Sequence, residues 1–350
     1  MLQTSASTLS EPRFTRPKLE TEKKPLALVV IGTGHVGSAL LKQLAEARQP
    51  WIRDLRVAVI ANRRHLISKP DGIGLGTWRD HLATTPRRGG DELIQSILEL
   101  RRWNTVVVDC TASAEIVSTY ESFIRAGAHI VTPNKKANVL PWQRYQELLE
   151  CFRRHHRRFL YATNVGAGLP VLSTLADLVK SGDTVRKIEG IFSGTLSYLF
   201  NRFDGAVPFS AIVREASEHG FTEPDPRVDL SGGDVAAKLL VIARQLGWKL
   251  DLEDIRVESL LKGDQDLNRR YAAAAAAGKV LRYVARFSEG QASARLESLA
   301  KDHPLAGTRH TDNVVAFHTD RYATTPIVIQ GPGAGPEVTA AGVLVDLSRL

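Results

Sequence analysis

Cysteine is close to absent from this 350-residue chain: Cys110 and Cys151 are the only two, in unrelated contexts. That excludes a disulfide framework and any cysteine-rich zinc or iron–sulfur site, and it fits a reducing, cytoplasmic setting. Long apolar runs are missing too. No segment approaches the roughly 18 consecutive apolar residues of a spanning helix, so no membrane partner is expected. Aromatic residues make up 7% of the chain, and none interleaves its densest basic cluster, Arg153-Arg154-His155-His156-Arg157-Arg158. With no nucleic-acid motif beside it, the cluster reads as a solvated helix end, and nucleic acid is not an expected partner. Residues 1–24 lack both periodicity and the apolar core of a secretory signal, and read as a disordered tail. Glu11, Glu20 and Glu22 oppose a transit peptide there.

What remains is an ordinary globular composition, 43% apolar and 24% charged, in a chain long enough for two domains with their own cores. A formal net charge of +8 suits an acidic cofactor. The first domain opens on Leu26-Ala27-Leu28-Val29-Val30-Ile31, a continuous apolar run such as a buried parallel strand requires. Gly32-Thr33-Gly34-His35-Val36-Gly37 follows at once, and helical spacing takes over from Ser38 to Leu44. A G-x-G-x-x-G between strand and helix is a dinucleotide-binding turn. Its first glycine permits the tight turn, the second admits the pyrophosphate, and the third lets helix and strand approach. The helix N-terminus adds free N–H groups for the phosphates. At His35 only the backbone is expected to serve.

The next strand, Leu55 to Ile60, runs into Ala61-Asn62-Arg63-Arg64 without the acid that would hold a ribose 2′-hydroxyl. Guanidinium groups at Arg63 and Arg64 suit a 2′-phosphate instead, although either one singly reads equally well as a solvated basic turn. NADP is therefore the expected cofactor, with NAD tolerated.

The α/β alternation continues. Residues 91–102 have helical spacing, and the strand Thr105–Cys110 ends in Thr111, Ala112 and Ser113, small residues that let a nicotinamide or its ribose come close. A helix is predicted from Ser113 through Ala126. The strand His129–Thr132 delivers Lys135 to the edge where doubly wound sheets bind ligands. Another strand, Phe159–Ala162, leads into the turn Asn164-Val165-Gly166-Ala167-Gly168-Leu169-Pro170 and a helix from Val171 to Val179.

Then the periodicity changes. A strand from Ile188 leads into the small and hydroxyl residues of Ser193–Tyr198, and alternation at Val280–Phe287, Ala292–Leu299 and Asn313–Phe317 predicts an antiparallel sheet. Ile327-Val328-Ile329, a glycine-rich loop through Gly335 and a final helix look suited to return to the first domain. The predicted fold class is α/β: a Rossmann-like dinucleotide-binding domain over 25–165, completed by 327–350. An α+β domain with a mainly antiparallel sheet covers 166–326.

The segment Thr222-Glu223-Pro224-Asp225-Pro226-Arg227-Val228-Asp229-Leu230-Ser231-Gly232-Gly233-Asp234-Val235-Ala236-Ala237-Lys238 places four acids in or beside a proline-stiffened loop. A helix follows the Gly-Gly hinge, so Asp234 and Lys238, four apart, share one face. An ordinary surface ion pair is the commoner meaning of that spacing. Here, a lysine held by a carboxylate and facing an acidic loop can give a proton to a substrate oxygen, while spare carboxylates hold a substrate cation.

In order, GTGHVG, the DCTAS strand end, TPNKKAN, NVGAGLP, GIFSGTLSYLFN, FTEPDPRVDLSGGDVAAK and IQGPGAGPEVTAAGV resemble the motifs of homoserine dehydrogenases. The likeness covers nearly all of 25–350 and is strongest to the dehydrogenase half of the bifunctional aspartokinase–homoserine dehydrogenases. It implies reversible NAD(P)H-dependent reduction of L-aspartate 4-semialdehyde to L-homoserine, a step of threonine, methionine and isoleucine biosynthesis. It also implies a homodimer formed through the second domain, and no C-terminal regulatory domain is expected. Residue by residue, it assigns Lys238 as proton donor, Asp234 as its orienting partner and Lys135 as an active-site lysine near the nicotinamide. Glu223 would hold the substrate ammonium with Asp229 nearby, and Gly194 and Thr195 would line the amino-acid end. A lysine acting as base in the reverse direction needs a lowered pKa or alkaline medium, so homoserine oxidation is expected to favour high pH.

Two positions depart from the family pattern. Ala162 stands where many relatives carry an acid, just before the turn whose carbonyls at Val165, Ala167 and Leu169 are implied to hold Na+ or K+. The three carbonyls remain a candidate site without that side chain. Val228 replaces the first of two adjacent acids, so Asp229 is the one carried over. Other readings are a catalytically inactive cofactor-binding regulator, a different NAD(P)-dependent dehydrogenase of small amino acids, and a cation-binding module on the acidic loop. The prolines between its acids do not match an EF-hand.

Overall fold

Six short runs rich in Val, Ile, Leu and Ala set the first layer of the computed structural model, which describes residues 26–86, 91–100, 104–261 and 263–350. They are β1 (Leu26–Ile31), β2 (Arg56–Ala61), β3 (Leu66–Ser68), β4 (Asn104–Asp109), β5 (His129–Val131) and β6 (Phe159–Leu160). The sheet order is β3-β2-β1-β4-β5-β6, parallel except for β3, which pairs antiparallel with β2. Ala27 to Val30 are fully buried. Both faces of β1 are covered, which is why the strand carries no alternating polar residues. On one side lie Tyr120, Phe123 and Leu148; on the other lie Leu40 and Leu41 of α1 (His35–Glu46) with Val343 and Leu347 of the final helix.

The second layer is a sheet of β7 (Val185–Ile191), β8 (Arg256–Val257), β9 (Lys279–Ser288), β10 (Gln291–Ala300), β11 (Asp312–Thr319) and β12 (Ile327–Pro332). Its order is β12-β11-β7-β9-β10-β8, antiparallel apart from the short β8–β10 pair. One face packs against α2 (Val171–Lys180), α3 (Gly194–Arg202), α4 (Phe209–Glu218) and α5 (Gly233–Gln245). Residues Leu239 to Ala243 are at most 1% exposed. A helix apolar on every side belongs inside a core, and α5 is the axis of this one.

Several expectations need adjusting. The predicted helix over 91–102 is observed at Glu92–Glu99, its last two residues lying outside the described ones; the 1–24 tail also lies outside them. The helix from Ser113 to Ala126 divides into Ala114–Ser118 and Tyr120–Arg125, where the Thr119 hydroxyl donates to Ile116 O at 2.7 Å. Ser193–Tyr198 does not continue a strand: Ser193 caps α3, its Oγ accepting from Leu196 N at 3.1 Å. The acidic loop contains a short helix, Pro226–Leu230, capped by Asp225. The expected completion of the first domain by 327–350 does not extend to its strand. Strand β12 pairs with β11 in the second sheet, while α6 (Pro336–Ser348) crosses back, Gln43 Nε2 of α1 donating to Glu337 O at 2.9 Å.

Candidate active site

The glycine turn stands at the carboxyl end of β1, and each glycine meets a different requirement. Gly32 has φ +94°, and a Cβ there would press on Thr111 Cγ2 at 2.9 Å. A Cβ at Gly37 would strike the Gly32 carbonyl oxygen. At Gly34 a Cβ would find nothing within 4 Å, so the space above the turn is open to a phosphate. Thr33 and Gly34 border a cleft of about 880 Å³ shared with Arg63, Thr111, Ala112 and Ser113. Val36 is half-buried, and His35 is exposed as the first residue of α1. Arg63 and Arg64 part company across Asn62: Arg63 borders this cleft, whereas Arg64 borders a smaller hollow of about 410 Å³ with His65, Trp78 and Arg79. Gly335 is exposed at the start of α6 with φ +119° and is not among the residues lining either space.

Asp109, fully buried at the end of β4, was not singled out by the sequence reading. It receives Thr111 N at 2.9 Å, Tyr120 OH at 2.7 Å and Asn134 Nδ2 at 3.0 Å. Burial raises its pKa, and these donors work against the rise. The network ties the Thr111–Ser113 segment to the segment that carries Lys135. A charged residue closing an apolar strand was the available signal.

Lys135 starts a short 3-10 helix, Lys135–Val139, after Asn134, whose Oδ1 accepts from Lys136 N at 3.1 Å. Its Nζ lies 2.9 Å from Asp234 Oδ1, while Lys238 Nζ lies 2.8 Å from Asp234 Oδ2. One carboxylate thus bridges lysines from the two sheets' domains. Burial opposes its charge, but Lys238 and Lys135 outweigh burial and hold Asp234 well below the usual carboxylate range. Lys238 also donates to Phe192 O at 2.7 Å, directly before the capped start of α3. That contact draws Gly194 and Thr195 into the same neighbourhood.

The acidic loop is tied to the start of α3. Asp229 Oδ2 accepts from Glu223 N at 2.8 Å, and Thr195 Oγ1 donates to Phe221 O at 2.7 Å. Asp229 therefore shapes the loop that presents Glu223. Asp225 is engaged by Arg227 Nη2 at 2.8 Å. Glu223 is exposed, and its carboxylate has no hydrogen-bond or ion-pair partner among the described residues.

At the Val165–Leu169 turn, Gly166 and Ala167 both have positive φ, +76° and +52°. Val165 and Ala167 are buried, and Leu169 O already accepts from Val171 N at 2.8 Å. Beside Ala162, where the side-chain acid is missing, the buried carboxylate of Asp346 accepts from Ala162 N at 2.8 Å. Among the described residues no group of three or more His, Cys, Asp or Glu side chains could hold a metal.

A family model described as homoserine dehydrogenase matches residues 170–348, and one described as the homoserine dehydrogenase NAD binding domain matches 32–162. The chain is 40% identical, over 97% of its length, to the chloroplastic bifunctional aspartokinase/homoserine dehydrogenase 1 of Arabidopsis thaliana. It spans 40% of that relative's length. In structure it is similar to a putative homoserine dehydrogenase from Archaeoglobus fulgidus, with TM-score 0.80 and 26% identity over 93% of this chain and 98% of that one. A hyperthermophilic archaeal homoserine dehydrogenase in complex with NADPH shares the fold, with TM-score 0.74 and 22% identity over 92% and 96%.

Proposed function

We propose that this chain, which belongs to the homoserine dehydrogenase family, interconverts L-aspartate 4-semialdehyde and L-homoserine, with NADP favoured and NAD tolerated. The observation that carries the proposal is the Lys135–Asp234–Lys238 bridge between the glycine-turn domain and α5, the helix that follows the acidic loop. When bound, the nicotinamide supplies or accepts the hydride at the substrate carbon. An ammonium has three donors, and Lys238 spends two on Asp234 and Phe192 O. The third is left for the substrate carbonyl oxygen, which takes the proton as the alcohol forms; in reverse the same nitrogen receives it. Asp234 stays ionised, so it orients Lys238 and does not compete as an acid. Glu223, presented by Asp229, pairs with the substrate α-ammonium. Gly194 and Thr195 line that end.

Steady-state turnover with NADP is expected for L-homoserine well above other short hydroxy amino acids; equal or absent homoserine turnover overturns the reading. A monovalent cation on the carbonyls of Val165, Ala167 and Leu169 belongs to the proposal. The positive φ at Gly166 and Ala167, within the turn that carries those carbonyls, supports it. Replacing K+ and Na+ by tetramethylammonium should then lower kcat or Tm, and unchanged values remove the cation. A homodimer through the second sheet is likewise proposed, to be read from sedimentation.

A further inference from the structure

Arg244 lies six residues beyond Lys238 on α5, its side chain 1% exposed. Burying a guanidinium costs heavily unless its donors are met, and here they are met from both sides of the domain boundary. Nη1 donates to Asn138 O at 2.9 Å and Leu140 O at 2.7 Å, on the segment that begins with Lys135. Nε and Nη2 donate to Leu250 O at 3.1 and 2.8 Å, and Nη2 also reaches Asp251 Oδ1 at 2.8 Å. The Asp251 oxygen in turn accepts from Trp142 N at 2.8 Å. Above the plane, the guanidinium carbon stands 4.6 Å from the Tyr145 ring centroid and 5.6 Å from that of Trp142.

We infer that Arg244 is a positioning residue: it fixes α5 against the Lys135–Leu140 segment and so sets the register in which Asp234, already paired with Lys238 on its own helix, meets Lys135. This rests on the dehydrogenase reading above. The three groups of the bridge come from two domains, and a shift of about 1 Å between them is enough to cost about 100-fold in rate. A planar fork with five fixed donors can span these acceptors, and a lysine cannot, because it presents a single point of charge.

Arg244→Lys keeps the charge and loses the fork; Arg244→Met removes the charge as well. Each is measured for kcat and KM, for NADPH affinity by fluorescence, and for hydrogen exchange of the 135–140 amides. The expected result for Arg244→Lys is a kcat lowered about 10- to 100-fold, NADPH affinity within about twofold, and faster exchange at 135–140. A kcat within about twofold of wild type overturns the inference. So does a loss that merely follows the fraction of protein able to bind NADPH, which is what general unfolding would give. Should Arg244→Met fail to fold, Arg244→Lys alone decides. If wild type does not turn over homoserine, the dehydrogenase reading fails separately. The exchange measurement then decides, and unchanged protection at 135–140 in Arg244→Lys overturns the role.

Discussion

In the proposed function Lys238 and Glu223 take opposite ends of the substrate, and their surroundings suit them to different work. Lys238 is 15% exposed and held by two acceptors, as a proton donor aimed at one atom should be. Glu223 is exposed, with a carboxylate unengaged among the described residues, as suits a group that captures a soluble ammonium. Lys238→Ala should therefore lower kcat by about 10²–10⁴-fold, the usual range for a lost acid–base group. Glu223→Gln should mainly raise KM for the amino acid, since the shape is kept and only the pairing charge is lost. Dinucleotide affinity should stay nearly constant in both. A near-normal kcat for Lys238→Ala would pass the proton to Lys135 or a water, and exchanged kinetic signatures would exchange the roles. The i,i+4 relation of Asp234 and Lys238 was legible from spacing alone. That Lys135 binds the other oxygen of the same carboxylate was not, because 99 positions separate Lys135 from Asp234 and only the packing of two domains joins them.

At the level of elements, the proposed NADP preference rests on the β2–β3 turn. Asn62 Oδ1 accepts from both Arg64 N and His65 N at 2.8 Å, which fixes the turn and sends the two arginine side chains toward different spaces. Neither guanidinium is ion-paired among the described residues. Unpaired, permanently charged forks beside the glycine turn are what a 2′-phosphate would use. The Arg63→Ala, Arg64→Ala double variant should thus lose much of the preference in kcat/KM for NADPH over NADH. An NADH preference in wild type, or a ratio that the double variant leaves unchanged, would sink this assignment. The glycine turn itself was readable because its strand, spacing and helix are contiguous. The short helix Pro226–Leu230 was hidden among the prolines, although Asp225 before Pro226 is a capping signal: its Oδ1 accepts from Arg227 N at 3.1 Å. Arg244 was hidden for a different reason. A lone arginine in an apolar helix carries no mark in sequence of the carbonyls it will meet.

For the molecule as a whole, the class of each sheet was legible and the strand order of the second was not. Continuous apolar runs mark buried parallel strands and alternating runs mark antiparallel ones, but β7 lies between β11 and β9, strands from about 90 residues or more further along the chain. Stability over the whole chain also depends on groups outside the active site. His129, 8% exposed at the start of β5, has its Nδ1 accepting from Arg158 N at 2.9 Å. Its ring hydrogen therefore sits on Nε2, which donates to Asn104 Oδ1 at 3.1 Å. Both nitrogens are committed to the neutral ring. Burial, with Arg157 and Arg158 adding repulsion, brings its pKa down to about 4. In the unfolded chain a histidine titrates near 6.5. Between these values the unfolded state binds a proton that the native state refuses, so stability rises with pH across the window. The contribution is complete above about pH 6.5 and is lost as the pH falls through about 4. It amounts to at most about 3 kcal/mol. Asp109 and Asp346, raised by burial, pull the opposite way in acid, so the test is a difference between two proteins. Urea unfolding of wild type and His129→Gln at several pH values from 6.5 to 4 should give curves that differ in slope by up to one proton, with wild type the steeper. Parallel curves would mean that His129 charges in the folded protein without penalty, and that acid unfolding begins elsewhere.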